Sequence, residues 1–376
     1  MKRPPFECIA LVLQGGGALG SYQAGVYEAL AEIDLHPDWI AGISIGAINA
    51  AIIAGNPPKE RVAKLKTFWD NVTVNPFLDW TLMTDFLMPQ GNMARSLFNQ
   101  MSAGFSLTSG ANDFFELRTP SPYFQPEGTL GATSFYDTRK LKATLERLVD
   151  FDRVNHDGMR LSVGAVNVRT GNFAYFDTTD TVIRPEHIVA SCSLPPGFPA
   201  TEIDGEFYWD GGLVSNTPLQ WVVDSEKSMD TLAIQIDLWP ARGNFPRNLN
   251  EVTTRQKDIQ YSSRTRAATD QFTRRQRLRG ALADLLAELP VDFKDTDNVD
   301  LLKTVANHKV YNIVHLIYHT RLYERDSKDY DFSRLAMTEH WQSGFKDAHN
   351  TLQHPEIFVP PTVKEGVKVF DFQQET

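Results

Sequence analysis

Ser44 lies in Gly42-Ile43-Ser44-Ile45-Gly46, with a glycine two residues to either side of it. Between a strand and a helix this spacing lets the two elements approach without side-chain clashes. It also pushes the hydroxyl outward, the setting of a nucleophilic serine. A second glycine-rich stretch, Gly15-Gly16-Gly17-Ala18-Leu19-Gly20, follows an earlier apolar run. Its main-chain N–H groups can be aimed at the oxyanion that forms when a serine attacks a carbonyl. Gly15, Gly17 and Gly20 also fit G-x-G-x-x-G, the dinucleotide fingerprint, which calls for an acid ending the next strand. Here that strand runs into Ser44, while Asp34 and Asp38 precede it.

A serine nucleophile needs a neighbour to take its proton. None of the nine histidines sits in a glycine-flanked strand end, although His315 and His319 lie in Val310 to His319, which reads as a strand. Asp210 is the better candidate, because Gly205-Glu206-Phe207-Tyr208-Trp209-Asp210-Gly211-Gly212 is a short aromatic strand ending in an acid and paired glycines. Such glycines let another backbone approach the carboxylate. The same pattern also suits an Asp-Gly hairpin turn, and the residues alone leave that alternative open.

The elements around these residues are legible. Cys8-Ile9-Ala10-Leu11-Val12-Leu13 reads as a buried parallel strand, Tyr22 to Ile33 as an amphipathic helix, Trp39 to Ile43 as a second strand, and Ala47 to Ala54 as a small-residue helix. A right-handed crossover makes the strands parallel and places both glycine turns at the carboxyl edge of one sheet, where α/β folds put their sites.

Taken together, Gly15-Gly16-Gly17-Ala18-Leu19-Gly20, Gly42-Ile43-Ser44-Ile45-Gly46 and Asp210-Gly211-Gly212 occur in an order and spacing that resembles the patatin-like phospholipase family. Ser191-Cys192-Ser193-Leu194-Pro195-Pro196-Gly197 resembles the family's approach to the last motif, and the likeness covers roughly residues 8 to 240. The resemblance implies a three-layer α/β/α sandwich around a mainly parallel sheet and hydrolysis of lipid acyl esters without metal or cofactor. It implies Ser44 as nucleophile, Asp210 as base and Gly15, Gly16 and Gly17 as oxyanion hole, with Gly20, Gly42, Gly46, Gly211 and Gly212 supporting the motifs. Many members carry Arg or Lys where this chain has Leu19, so a phospholipid headgroup is less firmly implied than an acyl ester. An acyltransferase using the same acyl-enzyme, and a non-catalytic lipid- or nucleotide-binding module, are the alternatives.

The bulk composition suits such an enzyme. A net charge of −10 argues against a nucleic-acid partner bound through the whole surface. Cys8 and Cys192 make neither a disulfide framework nor a metal cluster, and residues 1–7 lack a signal-peptide run, so a cytoplasmic protein, with peripheral membrane contact through a local patch, is expected. Oligomeric state is not encoded in any legible way. Residues 1–245 form the expected catalytic domain. Within it, about 76–136 is an aromatic-rich insertion, either a lid that builds an acyl pocket or a satellite core, in which long regular elements are not expected. Residues 246–376 form an α+β extension, with an Arg-rich helical stretch from Arg264 to Leu289 that either lies on a membrane or packs its leucines on the domain.

Overall fold

The computed structural model describes residues 2–73, 92–225, 228–290, 297–321, 323–324 and 327–372. The first strand, β1 (Cys8–Leu13), passes through the glycine turn into α1 (Gly20–Glu32); β2 (Trp39–Ile43) then leads into α2 (Ile45–Ala54). Next come α3 (Pro58–Val72), α4 (Asn92–Ser109) and a small antiparallel pair, β3 (Glu116–Leu117) and β4 (Tyr136–Asp137). The chain continues through α5 (Arg139–Leu148), α6 (Phe151–His156), the antiparallel β5 (Arg160–Asn167) and β6 (Phe173–Asp177), and α7 (Pro185–Ser191). After these follow β7 (Thr201–Ile203), β8 (Glu206–Asp210), α8 (Leu219–Val223), β9 (Thr231–Asp237) and the 40-residue α9 (Leu249–Glu288). Finally come α10 (Asp297–Val305), β10 (Tyr311–Ile317), α11 (Arg334–Thr351) and β11 (Val367–Phe370).

Among the described residues the main sheet has nine strands, ordered β11-β10-β9-β1-β2-β5-β8-β7 with β6 beside β5. From β11 to β5 every pairing is parallel, and β6, β7 and β8 join antiparallel. Alternation along β1 divides the core: Ile9, Leu11 and Leu13 face α1, α2 and α3, whereas Cys8, Ala10 and Val12 face Leu219 and Val222 of α8 and Phe272 of α9. The result is the expected α/β/α sandwich.

Residues beyond 245 enter all three layers. Both β10 and β11 extend the sheet past β9, α9 covers one face, and α11 packs on α1 over the other, with Gly344 against the Tyr22 carbonyl and Gly25 against that of Trp341. On α9, Phe272 is the residue buried in the second core, while Leu282 and Leu286 are half-buried and Leu285 is exposed. Arg275 reaches Asp224 at 2.9 Å.

The insertion differs from its sequence reading. Residues 76–91 lie outside the described residues, but 92–109 form an 18-residue helix where no long element was expected. The periodicity is inverted. Among the described residues Ser96, Asn99, Ser102, Ala103 and Ser106 are buried, and Leu97, Met101 and Phe105 face outward, so the inner stripe is mostly polar.

Candidate active site

The strand register brings Ser44 and Asp210 together. On β5, Gly164 is the partner of Ile43, and the next residue, Ala165, is the partner of Asp210. One strand thereby fixes both ends that matter. Ser44 follows Ile43 with φ 55° and ψ −127°, a conformation that costs a non-glycine residue about 1–3 kcal/mol. The surroundings hold it there. Its N–H donates to Ser191 Oγ at 2.9 Å, and that hydroxyl donates to Gly164 O at 2.7 Å. A methyl group on Gly42 would strike the main chain at Gly46, and one on Gly46 would strike the Leu13 carbonyl, so the glycines flanking the serine are sterically required.

Asp210 is 2% exposed and has the Ser44 hydroxyl within hydrogen-bonding reach. Burial pushes its carboxyl up to about 7, against the opposing pull of the Ser44 hydroxyl and the Gly212 N–H, which donates to Oδ1 at 2.7 Å. Gly211 packs against the Gly164 carbonyl and opens a short 3₁₀ turn. A buried carboxylate in contact with a serine hydroxyl, with a pKa near the working range, has the properties of a general base.

Gly15, Gly16 and Gly17 line the same cavity as Ser44 and Asp210, and Gly20 opens α1 behind them. The Gly15 N–H donates to Asn216 O at 3.2 Å, while its carbonyl accepts from Asn216 Nδ2 and Trp239 Nε1, both at 2.9 Å. Among the described residues, the N–H groups of Gly16 and Gly17 have no acceptor, which leaves these two as the unspent donors of the turn. Leu19 is wholly buried.

The cavity has a volume of about 300 Å³. Its far wall is a cluster of aromatic rings, Phe114, Phe115, Tyr136, Phe198 and Phe332, with centroids 5.0–6.0 Å apart in the contacts that join them. Three regions supply this wall: the insertion, the segment before Asp210 and the part of the chain after residue 245. Neither His315 nor His319 lines it; His315 lies 3.6 Å from Asp237, and His319 borders a separate polar cleft. The sequence reading missed Asn216, Trp239, Asp329 and Phe332 as cavity residues. Asn216 stands six residues after Asp210, whereas Phe332 carries no local signal.

Among the described residues no group of three or more His, Cys, Asp or Glu side chains could hold a metal ion. No described helix is long and apolar enough to cross a membrane.

A family model described as patatin-like phospholipase matches residues 11–222, and one described as patatin phospholipase matches residues 259–363. A patatin-like phospholipase domain-containing protein of Caenorhabditis elegans is 37% identical over 73 residues, 19% of this chain and 7% of that protein. Patatin-like phospholipase domain-containing protein 7 of Rattus norvegicus is 54% identical over 48 residues, 13% of this chain and 4% of that one. The chain thus spans a small fraction of the length of the curated relatives it matches. The structure of VipD from Legionella pneumophila aligns with 100% of this chain and 76% of its own, at 15% identity and a TM-score of 0.39. With the first model covering more than half of its residues, the chain belongs to the patatin-like phospholipase family.

Proposed function

We propose that the protein is a serine acyl-ester hydrolase acting on lipid esters through Ser44 and Asp210. The observation that carries this reading is the contact between a strained, cavity-facing serine and a buried carboxylate at the end of an apolar cavity. Ser44 Oγ attacks the ester carbonyl while Asp210 takes its proton. The tetrahedral oxyanion is held by the N–H groups of Gly16 and Gly17, close to the start of α1. Asp210 returns the proton to the departing alcohol, leaving the acyl group on Ser44. Water then repeats the sequence, with Asp210 again as base and the fatty acid as product.

The aromatic wall suits an acyl chain. Among the described residues the cavity lining includes Asp210 and Asp329 but no Lys or Arg, so a phosphate finds no cation inside it and the headgroup stays outside. A fluorophosphonate probe tests the assignment. Wild type is expected to label, Ser44→Ala to stay unlabelled, and Asp210→Asn to lose roughly 10³-fold or more in ester turnover. Labelling of Ser44→Ala, or full turnover by Asp210→Asn, overturns the reading.

A further inference from the structure

The oxyanion turn is held from two sides. Its first half is fixed by Asn216 and Trp239, through the bonds at Gly15. The second half has a different anchor: the Ala18 N–H donates to the main-chain carbonyl of Asp329 at 2.8 Å. Among the described residues this is the one hydrogen bond joining residues 16–19 to a distant segment. The approach is close. Gly17 has φ 55°, and a methyl group there would collide with the same Asp329 carbonyl.

Asp329 is held in turn. Its carboxylate takes Lys257 Nζ at 2.8 and 3.1 Å, from the N-terminal part of α9, and the same ammonium lies 5.1 Å from the centre of the Tyr330 ring. Both side chains of the ion pair are mostly buried, at 29% and 24% exposed. The neighbours Tyr330 and Phe332 face the cavity. A chain of contacts therefore runs from α9 through Asp329 to the turn whose Gly16 and Gly17 line the cavity with Ser44.

We propose that Asp329 and Lys257 are positioning residues for the oxyanion turn, so that the segment after residue 245 completes the catalytic machinery rather than only covering it. This rests on the assignment of Ser44 as nucleophile and of Gly16 and Gly17 as oxyanion donors. A turn displaced by a fraction of an ångström binds the ground-state ester as before but holds the oxyanion less well, so the loss falls on kcat.

The test compares wild type, Lys257→Met, Asp329→Ala and Lys257→Arg as full-length proteins on a p-nitrophenyl ester, with thermal unfolding of each. A trifluoromethyl ketone of matching chain length provides the second readout, since its adduct with a serine places an oxyanion in the turn. Lys257→Met and Asp329→Ala are expected to lose about ten- to a hundredfold in kcat with KM within about twofold. Ketone affinity should fall by the same factor, and Lys257→Arg should recover most of both. Removing one partner strands a buried charge. If Lys257→Met unfolds below the assay temperature, the Lys257→Met/Asp329→Asn double variant replaces it with the same expectation. Unchanged kcat and ketone affinity in folded variants overturn the proposal, as does lower activity explained by lost folded protein at constant ketone affinity. Ser44→Ala runs beside them: activity remaining there overturns the nucleophile assignment itself, whereas an inactive Ser44→Ala beside an unaffected Lys257→Met overturns only the positioning role.

Discussion

Asp177 and Asp210 each end a strand paired to β5, opposite Ser162 and Ala165. Both are buried, at 0% and 2% exposed, yet their surroundings are opposite in kind. Asp177 receives Arg160 Nε at 2.9 Å on both oxygens, together with Trp221 Nε1, the Thr179 N–H and hydroxyl, and the Ser162 hydroxyl. Burial raises its carboxyl, but these donors outweigh it and the net shift is downward. Asp210 has the Gly212 N–H and the Ser44 hydroxyl, and burial wins. β5 is thus flanked by one carboxylate that is met by many donors and one that has few. The first consolidates the sheet; the second is the one that takes the proton in the proposed mechanism.

Exchanging the consequences of the two acids is the sharpest way to break this contrast. Asp177→Asn leaves Arg160 without its carboxylate and is expected to cost about 2–4 kcal/mol at neutral pH by denaturant unfolding, with kcat per folded molecule preserved. The depressed carboxyl of Asp177 contributes stability above its unfolded pKa that is lost as pH falls through the folded value. The cost of the substitution should therefore shrink toward pH 3. If Asp177→Asn instead abolished turnover in folded protein, the division of roles would collapse.

A smaller effect is expected in the pH profile. Asp210 takes a proton only as the carboxylate, so kcat/KM should fall about tenfold per pH unit below an inflection near 7 and level off above it. A flat profile from pH 5 to 9 contradicts the assignment. The smallest effect is a gain. Asp210 has a folded pKa above its unfolded one, so its charge costs stability as pH rises from about 4, in full above about 7. Asp210→Asn should therefore unfold later than wild type by about 1–3 kcal/mol at pH 8, with little difference at pH 4.

The residues around Ser44 were legible because strand, turn and helix are contiguous there and glycines flank the serine on both sides. Asp210 was legible only through its likeness to a family, since the contact that distinguishes it from a hairpin turn is set by the register on β5. The helix at 92–109 escaped notice because its buried stripe is made mostly of Ser and Asn, so the apolar positions that usually mark the inner face point outward. The run at 311–317 read as a strand, but its place beside β9, and with it the delivery of Asp329 and Phe332 to the cavity, depends on pairing over long sequence distances that no local pattern records.

The central position of β1 has a consequence for synthesis. Ala10 of that strand lies between Trp39 on one side and Ala233 on the other, so β1 gains one neighbour early and waits for the other until β2, β5 and β8 have all been made. At roughly 5–20 residues per second that wait lasts on the order of ten seconds or more. During this interval an apolar strand stands with an open edge, the kind of surface through which partly made chains aggregate. The cavity wall is completed later still, when Phe332 arrives, so Ser44 is made long before the cavity that surrounds it.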